Sequence, residues 1–119
     1  MIKLYKTQRE LVEAASMALK NRMYVSGWYL SSVYKHLREY PNVCVGDVIA
    51  IKFVNELPVA IAVTECRTIM AFCKREHRKN GFASECVNAI KNDTKGNYTA
   101  GLGVDGSFTF WRRCGIHAC

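Results

Sequence analysis

The stretch Phe72-Cys73-Lys74-Arg75-Glu76-His77-Arg78-Lys79-Asn80-Gly81-Phe82-Ala83-Ser84 decides how this chain is read. It overlaps the end of an apolar run, Thr68-Ile69-Met70-Ala71-Phe72-Cys73, that reads as a strand. Beyond it, Phe82, Cys86, Val87, Ala89 and Ile90 recur at helical spacing. A strand that runs into a basic, glycine-containing loop and then opens a helix is a physical recipe for holding phosphate. The first N–H groups of a helix have no acceptor within it, and the helix dipole places partial positive charge there. Gly81 lacks a Cβ, so the backbone can approach an anion closely or take positive φ. Arg78 and Lys79 add mobile positive charge beside those donors. Read alone, the stretch is equally an ordinary strand–turn–helix with a solvated basic turn.

The rest of the composition bounds the answer. With 119 residues the chain accommodates one domain, 1–119, with a proper core. An apolar fraction of 50% and a charged fraction of 23% are those of a globular protein. The formal charge of +7 points to an anionic partner, whether a polyphosphate cofactor, nucleic acid or an acidic protein surface. No apolar run is long enough to span a membrane, and Met1-Ile2-Lys3-Leu4-Tyr5-Lys6 lacks the apolar core of an export signal. The six cysteines, Cys44, Cys66, Cys73, Cys86, Cys114 and Cys119, form no C-x-x-C pair, so no metal site is expected. Reduced thiols and a cytoplasmic location follow as expectations, with disulfides the lesser alternative.

In chain order, Met1 to Thr7 reads as a strand, and Thr7 with Glu10 fits a capping box. The helix it opens runs to about Asn21 on a stripe of Leu11, Val12, Ala15, Ala18 and Leu19. A second helix is expected from Trp28 to Tyr40, stopped by Pro41-Asn42. Asp47 to Val54 and Val59 to Cys66 read as a hairpin around Asn55-Glu56-Leu57-Pro58, and Arg67 breaks the chain before the next strand. After the opening stretch the helix runs to about Lys91. A strand over Tyr98 to Val104, a short helix over Phe108 to Cys114 and a terminal strand fragment from Ile116 follow. The expected fold is mixed α/β (α+β), with a largely antiparallel central sheet and one crossover helix between the fourth and fifth strands.

Two segments then carry a resemblance. Arg78-Lys79-Asn80-Gly81-Phe82-Ala83 fits the pattern Gln/Arg-x-x-Gly-x-Gly/Ala between a strand and a helix. That is how the acetyl-CoA loop of the Gcn5-related N-acetyltransferase (GNAT) superfamily is built. Independently, Ser107-Phe108-Thr109-Phe110-Trp111-Arg112-Arg113-Cys114-Gly115-Ile116 resembles the superfamily's C-terminal A-x-x-F-Y-x-x-x-G-F segment. The element order agrees with the family fold, a GNAT-like sheet flanked by helices on both faces.

The resemblance implies an N-acetyltransferase that moves an acetyl group from acetyl-CoA to an amine by direct attack. It implies that the pantetheine arm pairs with Ala71, Phe72, Cys73 and Lys74, where the fourth and fifth strands splay. The pyrophosphate would lie on Arg78, Lys79, Asn80, Gly81, Phe82, Ala83 and Ser84. A backbone N–H near Phe72 or Cys73 would polarise the thioester carbonyl. Glu65, ending a central strand, stands where many members place a catalytic carboxylate; an exposed hairpin-end charge is the plainer reading. Trp111 stands where the family often has the Tyr that protonates the departing thiolate. An indole N–H donates a hydrogen bond but is no useful acid. His77, His36 and His117 have less support as bases, and Cys73 could act as a nucleophile only with a depressed pKa.

Three functions are weighed: the acetyltransferase, a degenerate GNAT-fold module that binds or regulates, and a nucleic-acid binder suggested by the charge. The basic residues are scattered rather than interleaved with stacking aromatics, which argues against the last. The acceptor cleft would involve Tyr24, Trp28, Tyr29 and the region after Val104. The charge leans toward an amine on an acidic protein surface over a small cation. The oligomeric state, a dimer included, is left open.

Overall fold

A computed structural model of the chain describes residues 1–23, 48–65, 68–94, 99–100, 110, 112–114 and 117–118. The expected helix over Trp28 to Tyr40, the Arg67 break and Cys44, Cys66 and Cys119 lie outside the described residues. So do Tyr24, Tyr29 and the stretch after Val104 as far as Thr109.

The elements in chain order are β1 (Ile2–Tyr5), α1 (Gln8–Lys20), β2 (Ile49–Val54), β3 (Leu57–Glu65) and β4 (Thr68–Cys73). A single 3₁₀ turn (Arg75–His77), α2 (Phe82–Thr94), β5 (Thr99–Ala100) and β6 (His117–Ala118) follow. The strands form one sheet in the order β1-β2-β3-β4-β5-β6. The first four are antiparallel, and β4, β5 and β6 run parallel to one another. Parallel neighbours need crossovers. α2 supplies the one between β4 and β5, as expected. The connection from β5 to β6 contains a helical turn at Phe110, Arg112 and Arg113.

Both ends of α1 follow local chemistry. The Thr7 hydroxyl accepts from the Glu10 N–H at 3.2 Å, and the Glu10 carboxylate accepts from the Thr7 N–H at 3.1 Å, closing the capping box. At the other end Met23 N–H reaches Ala18 O at 2.9 Å and Arg22 N–H reaches Leu19 O at 3.2 Å. This is a Schellman motif with Arg22 at φ 57, where a glycine is usual.

The β2–β3 hairpin is tighter than its sequence suggests. The turn is Asn55-Glu56 alone, with φ of 50 and 66, as a two-residue turn matched to strand twist requires. Leu57 and Pro58 belong to β3. Pro58 is tolerated because it faces Phe53, whose N–H and C=O both bond to Met1 instead. The register shifts between Lys52 and Phe53, which places Val59 as an extra residue in β3.

Helices cover both faces of the sheet. On one face Ile49, Ile51, Ile61 and Val63 pack against Leu11 and the small Ala14 and Ala18 of α1. On the other the sizes are exchanged: Ala50, Ala60 and Ala62 of the sheet receive Cys86, Val87 and Ile90 of α2. Small opposing large lets each helix seat closely, and full burial of an Ile or Val side chain contributes about 1.5–3 kcal/mol. The α2 seating matters for function because it fixes where that helix begins.

Candidate functional site

The end of β4 and the start of α2 form one continuous structure. In antiparallel pairing, alternate residues exchange both backbone bonds with the partner while those between point away. Lys74 donates its N–H to Val59 O at 2.9 Å, one step past the Ala60↔Cys73 pair. The alternation therefore turns the backbone groups of Phe72 and Lys74 toward β3, and those of Ala71 and Cys73 toward the β5 side. Among the described residues, β5 pairs only along Thr68 and Ile69. Ala71 and Cys73 thus carry outward-facing backbone groups beyond the described pairing. The Cys73 carbonyl accepts from Arg78 Nε at 3.2 Å, so the loop arginine folds back onto that edge.

After β4 the 3₁₀ turn reverses the chain, with His77 N–H on Lys74 O at 2.9 Å. The loop then visits the left-handed region twice, at Lys79 (φ 70) and Gly81 (φ 76). Nothing lies within 4 Å of where a Gly81 Cβ would stand, so the glycine answers a backbone requirement and faces open space. Asn80 Nδ2 donates to His77 O at 3.1 Å and braces the turn. Glu85 N–H donates to Gly81 O at 2.9 Å and closes the first turn of α2. The N–H groups of Phe82, Ala83 and Ser84 precede that bond and have no acceptor within the helix. Lys74, Arg75, Arg78 and Lys79 against Glu76 make the surroundings cationic. The arrangement is a concentrated set of anion donors at the mouth of a strand edge.

The structure brings Ala71 to Lys74 and Arg78 to Ser84 into this one unit. His77 packs its ring against Phe82, with centroids 6.3 Å apart and tilted 40°. Cys73 is half-buried on the α2 face, and burial pushes its thiol up, with nearby Arg78 opposing and Glu76 adding to the shift. The nucleophile reading needed a depressed value, so the thiol is a strand residue. Cys86 is inert by the same cause, pushed up to about 12 by burial. Cys73, Cys86 and Cys114 are free thiols. Glu65 ends β3 opposite Thr68, and its side chain lies outside the described residues, as does Trp111. Neighbouring Phe110 packs on the α2-side core. Cys114 O accepts from Lys91 Nζ, which ties that helical turn to α2.

One participant had no sequence signal. Lys52, in the apolar run Ile49-Ala50-Ile51-Lys52-Phe53-Val54, reaches the first turn of α2. Its Nζ lies 3.4 Å from Glu85 Oε1 and 5.2 Å from the Phe82 ring centroid. Only pairing β2 with a helix 30 residues later puts these groups together.

By sequence, no family model and no curated protein matches the chain. By structure the match is extensive. The aminoglycoside 6'-N-acetyltransferase AAC(6')-Ig from Acinetobacter haemolyticus superposes with TM-score 0.65, covering 98% of this chain and 90% of that one at 13% identity. The chain has the GNAT fold. The aminoglycoside N-acetyltransferase AAC(6')-Iy, solved in complex with CoA, is similar at TM-score 0.61 and 11% identity, covering 98% and 88%. A protein from Xanthomonas campestris pv. campestris described as belonging to the GNAT family has TM-score 0.58 and 16% identity, covering 98% and 84%. In a GNAT fold, the β4 edge and the α2 start are the elements that the resemblance assigns to acetyl-CoA.

Proposed function

We propose that the chain is an N-acetyltransferase of the GNAT superfamily that uses acetyl-CoA and an amine acceptor. The observation that carries this reading is the continuity of the outward-facing β4 edge with the uncapped, cationic start of α2. When bound, acetyl-CoA supplies an acetyl group activated as a thioester. Toward acetyl-CoA, Ala71 offers both backbone groups and Cys73 its N–H, because Arg78 Nε already takes the Cys73 carbonyl, whereas the N–H of Lys74 is given to Val59. Phe72 and Lys74 then contribute side chains rather than main-chain pairs. The Phe72 N–H turns toward β3, so the donor for the thioester oxygen is the Cys73 N–H. The N–H groups of Phe82, Ala83 and Ser84, with Arg78, Lys79 and Asn80, hold the pyrophosphate, and Gly81 leaves it room.

An ammonium has no lone pair, so a base must take a proton from the acceptor before attack. Glu65 is assigned that role, directly or through water. Trp111, in the place where the resemblance has a Tyr, cannot supply a proton to the departing thiolate, which is a fair leaving group without one. The same residue supports a second reading, a GNAT-fold module that binds CoA without turnover. The net charge of +7 favours an amine on an acidic protein surface over the cationic small acceptors named for the aminoglycoside enzymes. A cytoplasmic location fits that partner, and no helix among the described residues is long and apolar enough to cross a membrane.

Calorimetric titration with CoA tests the site. Micromolar to sub-millimolar binding is expected, and no heat at millimolar CoA would remove both readings. Thiol release from acetyl-CoA with a panel of peptide amines then separates enzyme from module. Trp111→Tyr is expected to leave CoA affinity within about threefold, because a ring is kept, and to raise turnover by restoring an acid. A fall in turnover would give Trp111 a positive role of its own.

A further inference from the structure

We propose that Lys52 is a positioning residue for CoA: it neutralises Glu85 and pins the first turn of α2, so that the anion cradle keeps an uncancelled positive field. The inference rests on the cradle reading above. Lys52 follows Ala50 on the strand face that α2 covers, and its side chain is 15% exposed. A lysine so largely covered costs desolvation unless it is paired, so its presence in an apolar strand asks for a reason. Its ammonium has two neighbours in the turn that starts at the cradle. One is the Glu85 carboxylate at 3.4 Å and the other the Phe82 ring, 5.2 Å to its centroid.

The electrostatic logic concerns competition for one field. A carboxylate in the first turn of a helix is stabilising because it faces the same partial positive charge that attracts an anionic ligand. Glu85 therefore opposes a pyrophosphate bound at Phe82 to Ser84. In α1 the corresponding carboxylate, Glu10, turns back onto the backbone donors. In α2 the carboxylate is instead paired from the sheet side by Lys52, which cancels its charge without covering the donors. The cation–π contact fixes Phe82, which His77 flanks from the loop.

Titration of CoA into the full chain and four variants tests this. Lys52→Met, matched in length, is expected to weaken CoA about tenfold at low salt. The loss should shrink at high salt, where the Glu85 charge is screened. Lys52→Arg should stay within about threefold of wild type. In a Glu85→Gln background the Lys52→Met loss should fall to about twofold or less, because no charge is left to neutralise. Unchanged affinity of Lys52→Met overturns the proposal. So does an equal loss in both backgrounds, which would mean direct contact or mere packing. If Lys52→Met does not fold, Lys52→Gln gives the same comparison. Failure of wild type to bind CoA would instead remove the cradle reading, so the two failures are distinct.

Discussion

The two described helices begin in opposite ways. α1 starts at Thr7, whose hydroxyl and backbone exchange hydrogen bonds with Glu10, so that the Glu10 N–H is satisfied by a side chain and the Glu10 carboxylate is occupied by the N–H groups of Thr7 and Lys6. α2 starts after Gly81, which has no side chain to offer, and its first carboxylate is drawn aside by Lys52. Both helices bury an apolar stripe on the same sheet, so packing does not explain the difference. A closed N-terminus stabilises the fold; an open one forgoes that stability and keeps its donors for a ligand. The contrast separates a scaffold helix on one face of the sheet from a working one on the other.

Three substitutions test the contrast. Gly81→Glu should abolish detectable CoA binding, at least about a hundredfold loss by calorimetry, because it sets a carboxylate in the cradle against pyrophosphate. Normal binding by this variant would place the ligand elsewhere. Arg78→Ala should weaken CoA about tenfold, the loss of one charge-assisted contact. The hydrogen bond to the Cys73 carbonyl that it also removes is exposed to water, so the fold should tolerate it, and the thermal midpoint distinguishes binding loss from unfolding. Thr7→Ala should leave CoA affinity unchanged while lowering stability by about 1 kcal/mol in denaturant unfolding at neutral pH.

The α1 cap also has a pH signature, through Glu10. The backbone N–H groups of Thr7 and then Lys6 hold the Glu10 carboxyl below its usual range. A folded-state value below the unfolded one means that the contribution is full above the ordinary carboxylate range. It is lost as pH falls through the depressed titration. The margin of wild type over Glu10→Gln should therefore narrow in acid; a margin constant with pH would mean that the Glu10 charge takes no part in the cap.

Much of this was legible in the residues. Thr7 and Glu10 announce a capping box because three-residue spacing and side-chain chemistry suffice to form it. The β4 strand, the α2 stripe and Gly81 were readable for the same reason, since each rests on interactions between near neighbours. The hairpin differs at Leu57-Pro58, which extend β3 rather than the turn. A proline looks like a turn residue until Phe53 is seen to bond with Met1, a contact across 52 residues. The end of α1 carried no glycine signal because Arg22 takes the left-handed position itself.

What the sequence determined by itself is therefore local: which segments are strands or helices, which helix caps itself and which opens on a basic, glycine-containing loop. Short-range hydrogen bonding and side-chain periodicity settle those matters within a few residues. Tertiary structure alone decided which backbone groups of β4 face outward, because that depends on the phase of its pairing with β3. It alone brought Lys52 beneath Glu85 and Phe82. Neither the phase of a pairing nor the partner of a covered charge is encoded near the residue concerned; both come from the register of strands and helices brought together by the core.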